Sequence, residues 1–184
     1  MSAEPYTPGP ASAEVRKEGA TWTLVLVRDL AHPPAKVWQA LTDPEQLRQW
    51  APFEADRNLG TLGTAKLSTV GAPLVSETRV KRADAAKALE YQWGGGDIRW
   101  ELEPRGEGTR LTLWAQIDRA WVAMGAAGWH VCLEVMDRLL EGRPIGRIAG
   151  PAAMKFGGWQ RLTGEYAKLF GVETPGWASG APKS

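Results

Sequence analysis

A chain of 184 residues, 43% hydrophobic and 23% charged, has room for one well-buried core and little for a second. Its 22 basic and 21 acidic side chains leave a formal charge of +1, and no basic run is interleaved with aromatics, so nucleic acid is not an expected partner. One cysteine rules out an intramolecular disulfide, and with only two histidines no usual zinc-ligand set forms, so neither a metal nor another cofactor is expected.

Residues 1–18 are rich in Pro, Ala, Ser and Glu and carry no period; they read as a flexible arm, as do 173–184. The body, 19–172, is then a single domain. No secretory leader opens the chain, and no apolar stretch approaches the ~20 residues that span a bilayer. Membrane insertion is therefore not expected, and the reducing cytoplasm is the expected compartment.

Thr21–Leu30 alternates and predicts the first strand. His32-Pro33-Pro34 stops it and presets a helix start, after which Val37, Trp38 and Leu41 share one face. Asp43-Pro44-Glu45-Gln46 predicts a second short helix, with Asp43 as cap, Gln46 placed to close a capping box, and Leu47 and Trp50 as its apolar side.

Strands are then predicted at 64–70, 74–81, 88–93, 97–103 and 109–118, separated by turns at Gly71-Ala72-Pro73, Ala83-Asp84, Gly94-Gly95-Gly96 and Gly106-Glu107-Gly108. The last three allow a register test. Pairing Tyr91 with Ile98, and Trp100 with Leu113, puts Leu89, Tyr91, Trp93, Ile98, Trp100, Leu102, Leu111 and Leu113 on one face. The same register sets Glu90 opposite Arg99, Glu103 opposite Arg110, and Arg99 opposite Trp114 on the other. One register satisfying both faces predicts an antiparallel meander. Arg99 and an exposed Trp114 on its outer face make a candidate homodimer interface.

After Asp118 the period becomes helical. Trp129, Cys132, Leu133, Met136 and Leu140 fall on one face, and Gly142 and Pro144 end the helix. A Gly- and Pro-rich loop leads to a last amphipathic helix carrying Trp159, Leu162, Tyr166 and Leu169. An antiparallel sheet with helices gathered on one face is an α+β layer arrangement.

The sequence also holds ten tryptophans. A domain of this size does not readily hide ten indoles in an ideal core, so some are expected to border a cavity or rim. No catalytic constellation stands beside them. Gly94-Gly95-Gly96 lacks the rest of a phosphate loop, and Cys132 and His130, two apart on a helix, do not face each other. His130 has two readings, a helix-flank histidine or a titratable group at the cavity edge.

Several of these runs together resemble the START-like helix-grip superfamily: His32-Pro33-Pro34, Val37-Trp38, Leu41-Thr42-Asp43-Pro44, Trp50, Leu89-Glu90-Tyr91 with Trp93, and Arg99-Trp100-Glu101-Leu102. Gly128-Trp129-His130, Cys132-Leu133, Gly158-Trp159, Tyr166 and Phe170-Gly171 are similar to one branch. That branch contains proteins related to the C-terminal domain of the activator of the 90-kDa heat-shock-protein ATPase. The resemblance covers about 20–172 and implies a curved antiparallel sheet wrapped around a long C-terminal helix, with two short helices after the first strand. It also favours a cavity over a filled core. The expected ligand is a small apolar or aromatic molecule held by Trp38, Trp50, Phe53, Trp93, Trp100, Trp129, His130 and Met136, without catalysis. The superfamily's other activities leave two alternatives: a cyclase- or hydrolase-like enzyme using His130, and an interaction module similar to the chaperone activator.

Overall fold

The computed structural model describes residues 6–174. Strands β1 (Glu14–Glu18) and β2 (Thr21–Leu30) form a hairpin, followed by helices α1 (Pro34–Thr42) and α2 (Pro44–Leu47). Strands β3 (Phe53–Ala55), β4 (Gly63–Thr69) and β5 (Val75–Val80) make a three-stranded sheet of their own. Strands β6 (Arg82–Asp84), β7 (Ala88–Trp93), β8 (Gly96–Arg105) and β9 (Gly108–Ile117) join the first hairpin in a six-stranded antiparallel sheet ordered β1-β2-β9-β8-β7-β6. A 3₁₀ turn at Arg119–Trp121 leads into the long α3 (Val122–Leu140), then α4 (Pro151–Met154) and α5 (Gly157–Phe170). This is the helix-grip arrangement: a curved sheet laid around α3.

The register of β7, β8 and β9 is the one that alternation predicts, with Tyr91↔Ile98, Glu90↔Arg99, Trp100↔Leu113, Arg99↔Trp114 and Glu103↔Arg110. Leu89, Tyr91, Ile98, Trp100, Leu102, Leu111 and Leu113 are all buried on the concave face, with Trp93 half-buried at its end. On the convex face the Arg99 guanidinium lies 4.8 Å over the Trp114 ring and ion-pairs with Glu101. Arg110 chooses differently. It grips Asp29 on β2 with two hydrogen bonds of 3.0 and 3.3 Å rather than turning to Glu103, because Asp29 is its cross-strand partner on the other side.

Four features depart from expectation. Glu14–Glu18, read as part of an arm, is strand β1; four of its five side chains are exposed, so no apolar period announces it, and pairing with the β2 backbone recruits it, with Val15 its one side chain against the core. The meander is interrupted, since β3–β5 pair among themselves. Asp43 caps α2 by accepting the Glu45 N–H at 2.9 Å, but its own N–H goes to Gln39 O, so the capping box with Gln46 has no donor left to close on. In α5 the inward residue is Phe170, whereas Leu169 is 53% exposed.

The turn between β7 and β8 shapes the site described below. Gly94 and Gly95 both take positive φ (64° and 80°), as a two-residue hairpin turn matched to strand twist requires. Gly96 has a different reason: a Cβ there would lie 2.3 Å from the Gln116 carbonyl oxygen of β9. Gly96→Ala must push β8 away from β9. It is expected to cost about 2 kcal/mol, seen as a lower denaturant midpoint at unchanged slope.

Candidate ligand cavity

Helix α3 buries side chains on most of its circumference, and two of its faces carry different chemistry. Gly125, Gly128, Trp129 and Cys132 recur at i, i+3, i+4 and i+7, so they form one stripe. The stripe faces an open-mouthed cavity of about 1180 Å³ bordered by the start of β2, the β7–β8 turn, the end of β9, and the α4–α5 segment. The glycines withdraw the helix surface from this space. The vacancy at Gly125 is taken by Ile117, whose Cδ1 would sit 2.3 Å from an added Cβ. At Gly128 the nearest atom would be Trp159 Nε1 at 3.8 Å, so open space remains beside it.

Five of the nine tryptophans among the described residues stand on the wall: Trp22, Trp93, Trp121, Trp129 and Trp159. Trp129 is edge-on to Trp93 (centroids 5.6 Å apart) and to Trp100 (5.5 Å). Trp100 in turn meets Trp50 at 6.2 Å, and Phe53 meets Trp93 at 5.4 Å. Edge-to-face pairs of this kind add about 0.5–1.5 kcal/mol each beyond area burial. Five of the six expected aromatics, all but Trp38, are thus brought together as one connected cluster, but in two layers. Trp93 and Trp129 face the cavity. Trp50, Phe53 and Trp100, all fully buried, stand behind them as core, and Met136 is core as well. Trp38 is half-buried on α1, beside Gly60 and away from the cavity.

His130 is also off the cavity wall. It is 2% exposed and points to the other side of α3, where Nε2 meets Glu134 Oε1 at 2.7 Å and Nδ1 meets Tyr166 Oη at 2.8 Å. With the proton on Nε2, Nδ1 accepts from Tyr166; this tautomer also suits Arg28 Nη2, 3.4 Å from Nδ1. Residues before β1 close the cluster: Tyr6 Oη and Gly9 N–H both bond Glu134, and Ser12 N–H bonds Tyr166 Oη. Burial pushes the Glu134 carboxyl up, but His130, the Gly9 amide and Tyr6 together hold it below its usual value. Burial raises the Tyr166 hydroxyl. A hydroxyl–imidazole–carboxylate chain is the arrangement of a general base. Here Tyr166 is fully buried and its oxygen is held by Ser12 and Arg28, so the chain joins α3, α5 and the segment before β1.

Cys132 does reach the cavity, and burial pushes its thiol up to about 12, which keeps it protonated. Asp118 is the only charged side chain among the described wall residues, and its carboxylate accepts the Ala120 N–H at 2.8 Å. Among the described residues no group of three His, Cys, Asp or Glu is placed to hold a metal, and no helix is long and apolar enough to cross a membrane. Trp114, the expected exposed aromatic, is half-buried under Arg99; among the described residues the exposed indole is Trp121, at 61%. Sequence reasoning missed Trp22, Trp121, Trp159 and the two α3 glycines as wall residues. The signal available was Gly125-x-x-Gly128-Trp129, small residues at helical spacing beside a large one.

Residues 31–141 match the family model described as Activator of Hsp90 ATPase homolog 1-like protein. No curated protein matches the chain. Among solved structures, the conserved protein of unknown function EF2215 from Enterococcus faecalis superposes with a TM-score of 0.68 at 22% identity, over 88% of this chain and 92% of that one. CalU16 from Micromonospora echinospora gives 0.62 at 19% identity, over 86% and 95% respectively. The AHSA1-like protein from Aeromonas hydrophila gives 0.53 at 16%, over 65% and 92%. At these identities the likeness is one of fold.

Proposed function

Since the chain belongs to the Activator of Hsp90 ATPase homolog 1-like family, we propose that it binds and carries a small apolar or aromatic molecule in the tryptophan-walled cavity beside α3. The observation that carries this reading is the wall itself. Five indoles and two α3 glycines border about 1180 Å³, and a single charged side chain accompanies them among the described residues. Ligand sites are predominantly apolar and aromatic with few polar groups, and at roughly 300–1,000 Å³ they are somewhat smaller than this space. The alternative of an enzyme using His130 has no such support, because that imidazole lies off the cavity and is committed to Glu134 and Tyr166. Nor does the convex face favour a homodimer through Arg99 and Trp114 or a chaperone-type docking surface, since Trp114 is half-buried there.

Gly128 tests the proposal because space, not backbone conformation, is what it supplies. Gly128→Ala places a methyl in ordinary contact with Trp159 and is expected to raise stability by about 0.5–1 kcal/mol, as Gly→Ala does inside helices. Gly128→Phe is expected to project a ring into the part of the cavity between Trp129 and Trp159 while leaving the helix intact. Titration with the neutral fluorophore N-phenyl-1-naphthylamine should show binding by the parent and Gly128→Ala, and at least about ten-fold weaker binding by Gly128→Phe. A parent that does not bind, or equal binding by Gly128→Phe, refutes the proposal.

A further inference from the structure

Among the wall indoles no acceptor is found within the described residues for the half-buried Trp22 or the 61% exposed Trp121, whereas Trp93 and Trp159, and Trp50 and Trp100 in the layer behind, are satisfied by the protein itself. Trp50 donates to Ala40 O at 2.9 Å, Trp93 to Thr69 Oγ1 at 3.1 Å, Trp100 to Tyr91 Oη at 3.0 Å and Trp159 to Met124 O at 3.3 Å. Trp129 differs. The residue is 4% exposed and lies on the cavity wall, yet among the described residues no oxygen or nitrogen accepts its N–H. Nor is that N–H sealed in the core, since the sealed and unbonded side-chain atoms among the described residues are Arg99 Nε and Arg147 Nη1. It therefore opens on the cavity. A buried indole N–H normally finds an acceptor, and leaving one unmatched is costly.

Thr21, Gln116 and Gln160, which can donate or accept, also line the cavity, and Gln116 and Gln160 are engaged with Asp97 N and Met154 O; the charged and thiol groups of the wall agree with the indole in sign. Cys132, three residues along the same stripe, keeps its proton and so offers only a second, weak donor. No lysine or arginine stands among the described wall residues to balance an anion, and Asp118, at the exposed rim, is already bonded to Ala120.

Resting on the carrier reading above, we propose that the ligand is uncharged and carries a hydrogen-bond acceptor, a ketone- or quinone-type oxygen on an aromatic body, which Trp129 Nε1–H reads. The indoles supply the apolar contact, and this one donor sets orientation and discriminates between molecules of the same shape.

Fluorene and 9-fluorenone share a tricyclic outline and differ by one carbonyl, which makes them the probes. Isothermal titration of the unaltered protein should show 9-fluorenone binding about five-fold more tightly, the contribution of one hydrogen bond. In Trp129→Phe, checked for folding by its thermal transition, the preference should vanish while fluorene binding stays within about two-fold. Infrared spectroscopy on the unaltered protein gives a readout that does not depend on the variant folding: the bound 9-fluorenone carbonyl stretch should lie below its position in an aprotic solvent. Equal binding of both probes, a preference that survives Trp129→Phe, or an unshifted carbonyl overturns the inference and leaves the carrier reading standing. Failure of both probes to bind overturns the two together.

Discussion

Trp100→Ala is expected to lower the thermal transition by roughly 10–15 °C and to weaken binding in a cavity that Trp100 does not touch. The indole is fully buried, edge-on to Trp50 at 6.2 Å and to Trp129 at 5.5 Å. Truncating such a side chain removes its transfer free energy and leaves a void, together about 3–5 kcal/mol. A second loss adds to this. Trp100 Nε1 donates to Tyr91 Oη at 3.0 Å, and Tyr91 is a hydroxyl whose pKa burial raises. At about 2–4 °C per kcal/mol for a chain of this size, the shift is large enough for scanning calorimetry to read directly. The effect on binding follows from the layering: Trp129 loses the ring that holds it upright against the cavity. Trp100→Phe keeps a ring but not the donor and should cost roughly half as much. A Trp100→Ala protein melting within a few degrees of the parent would mean that the rear aromatic layer does not support the wall.

Glu134→Ala should be the second most damaging change, at about 3 kcal/mol and a fall of roughly 6–12 °C. The carboxylate accepts from Tyr6 Oη at 3.0 Å, from the Gly9 N–H at 2.9 Å and from His130 Nε2 at 2.7 Å. Removing it leaves three part-buried donors without an acceptor, at about 1 kcal/mol each. The pH dependence has a definite sign. The folded-state pKa of Glu134 lies below the ordinary 4.5: burial opposes this, and the His130, Gly9 and Tyr6 contacts outweigh it. The folded state therefore binds fewer protons than the unfolded state, so the contribution is fully present above about 4.5 and is lost as pH falls through the native value. Denaturant unfolding between pH 7 and pH 3 should show the parent losing more stability below pH 4.5 than Glu134→Gln does. Parallel curves would show that Glu134 does not titrate across this linkage. Arg28 and Arg138 also face the cluster, through His130 and Tyr6 respectively.

Different parts of the molecule were readable to different depths. The β7–β9 register was open to sequence reasoning because two independent patterns constrained it at once: apolar residues on one face, and Glu90, Arg99, Glu103, Arg110 and Trp114 on the other. A slip of one residue would have turned Trp100 outward and Arg99 inward. Strand β1 was hidden because an edge strand with exposed side chains leaves no periodic trace. His130 was misplaced for a different reason. Its position one residue after Trp129 gives its direction, about 100° round the helix, but not what waits there. What waits is Tyr166 from α5 and the Tyr6–Ser12 segment, more than 30 and 100 residues away in the chain.

The sequence by itself determined the fold class, the direction in which the residues of β7–β9 point, and the presence of more indoles than a core readily absorbs, because period and composition are local properties. It could not separate Trp129 from Trp100, since both are large, apolar and inward on their own elements. Only the tertiary structure decided that one meets packed neighbours while the other borders space. That outcome depends on where the glycine stripe of α3, the β7–β8 turn and the α4–α5 segment come to rest against one another, and a void is defined by the side chains that do not reach it.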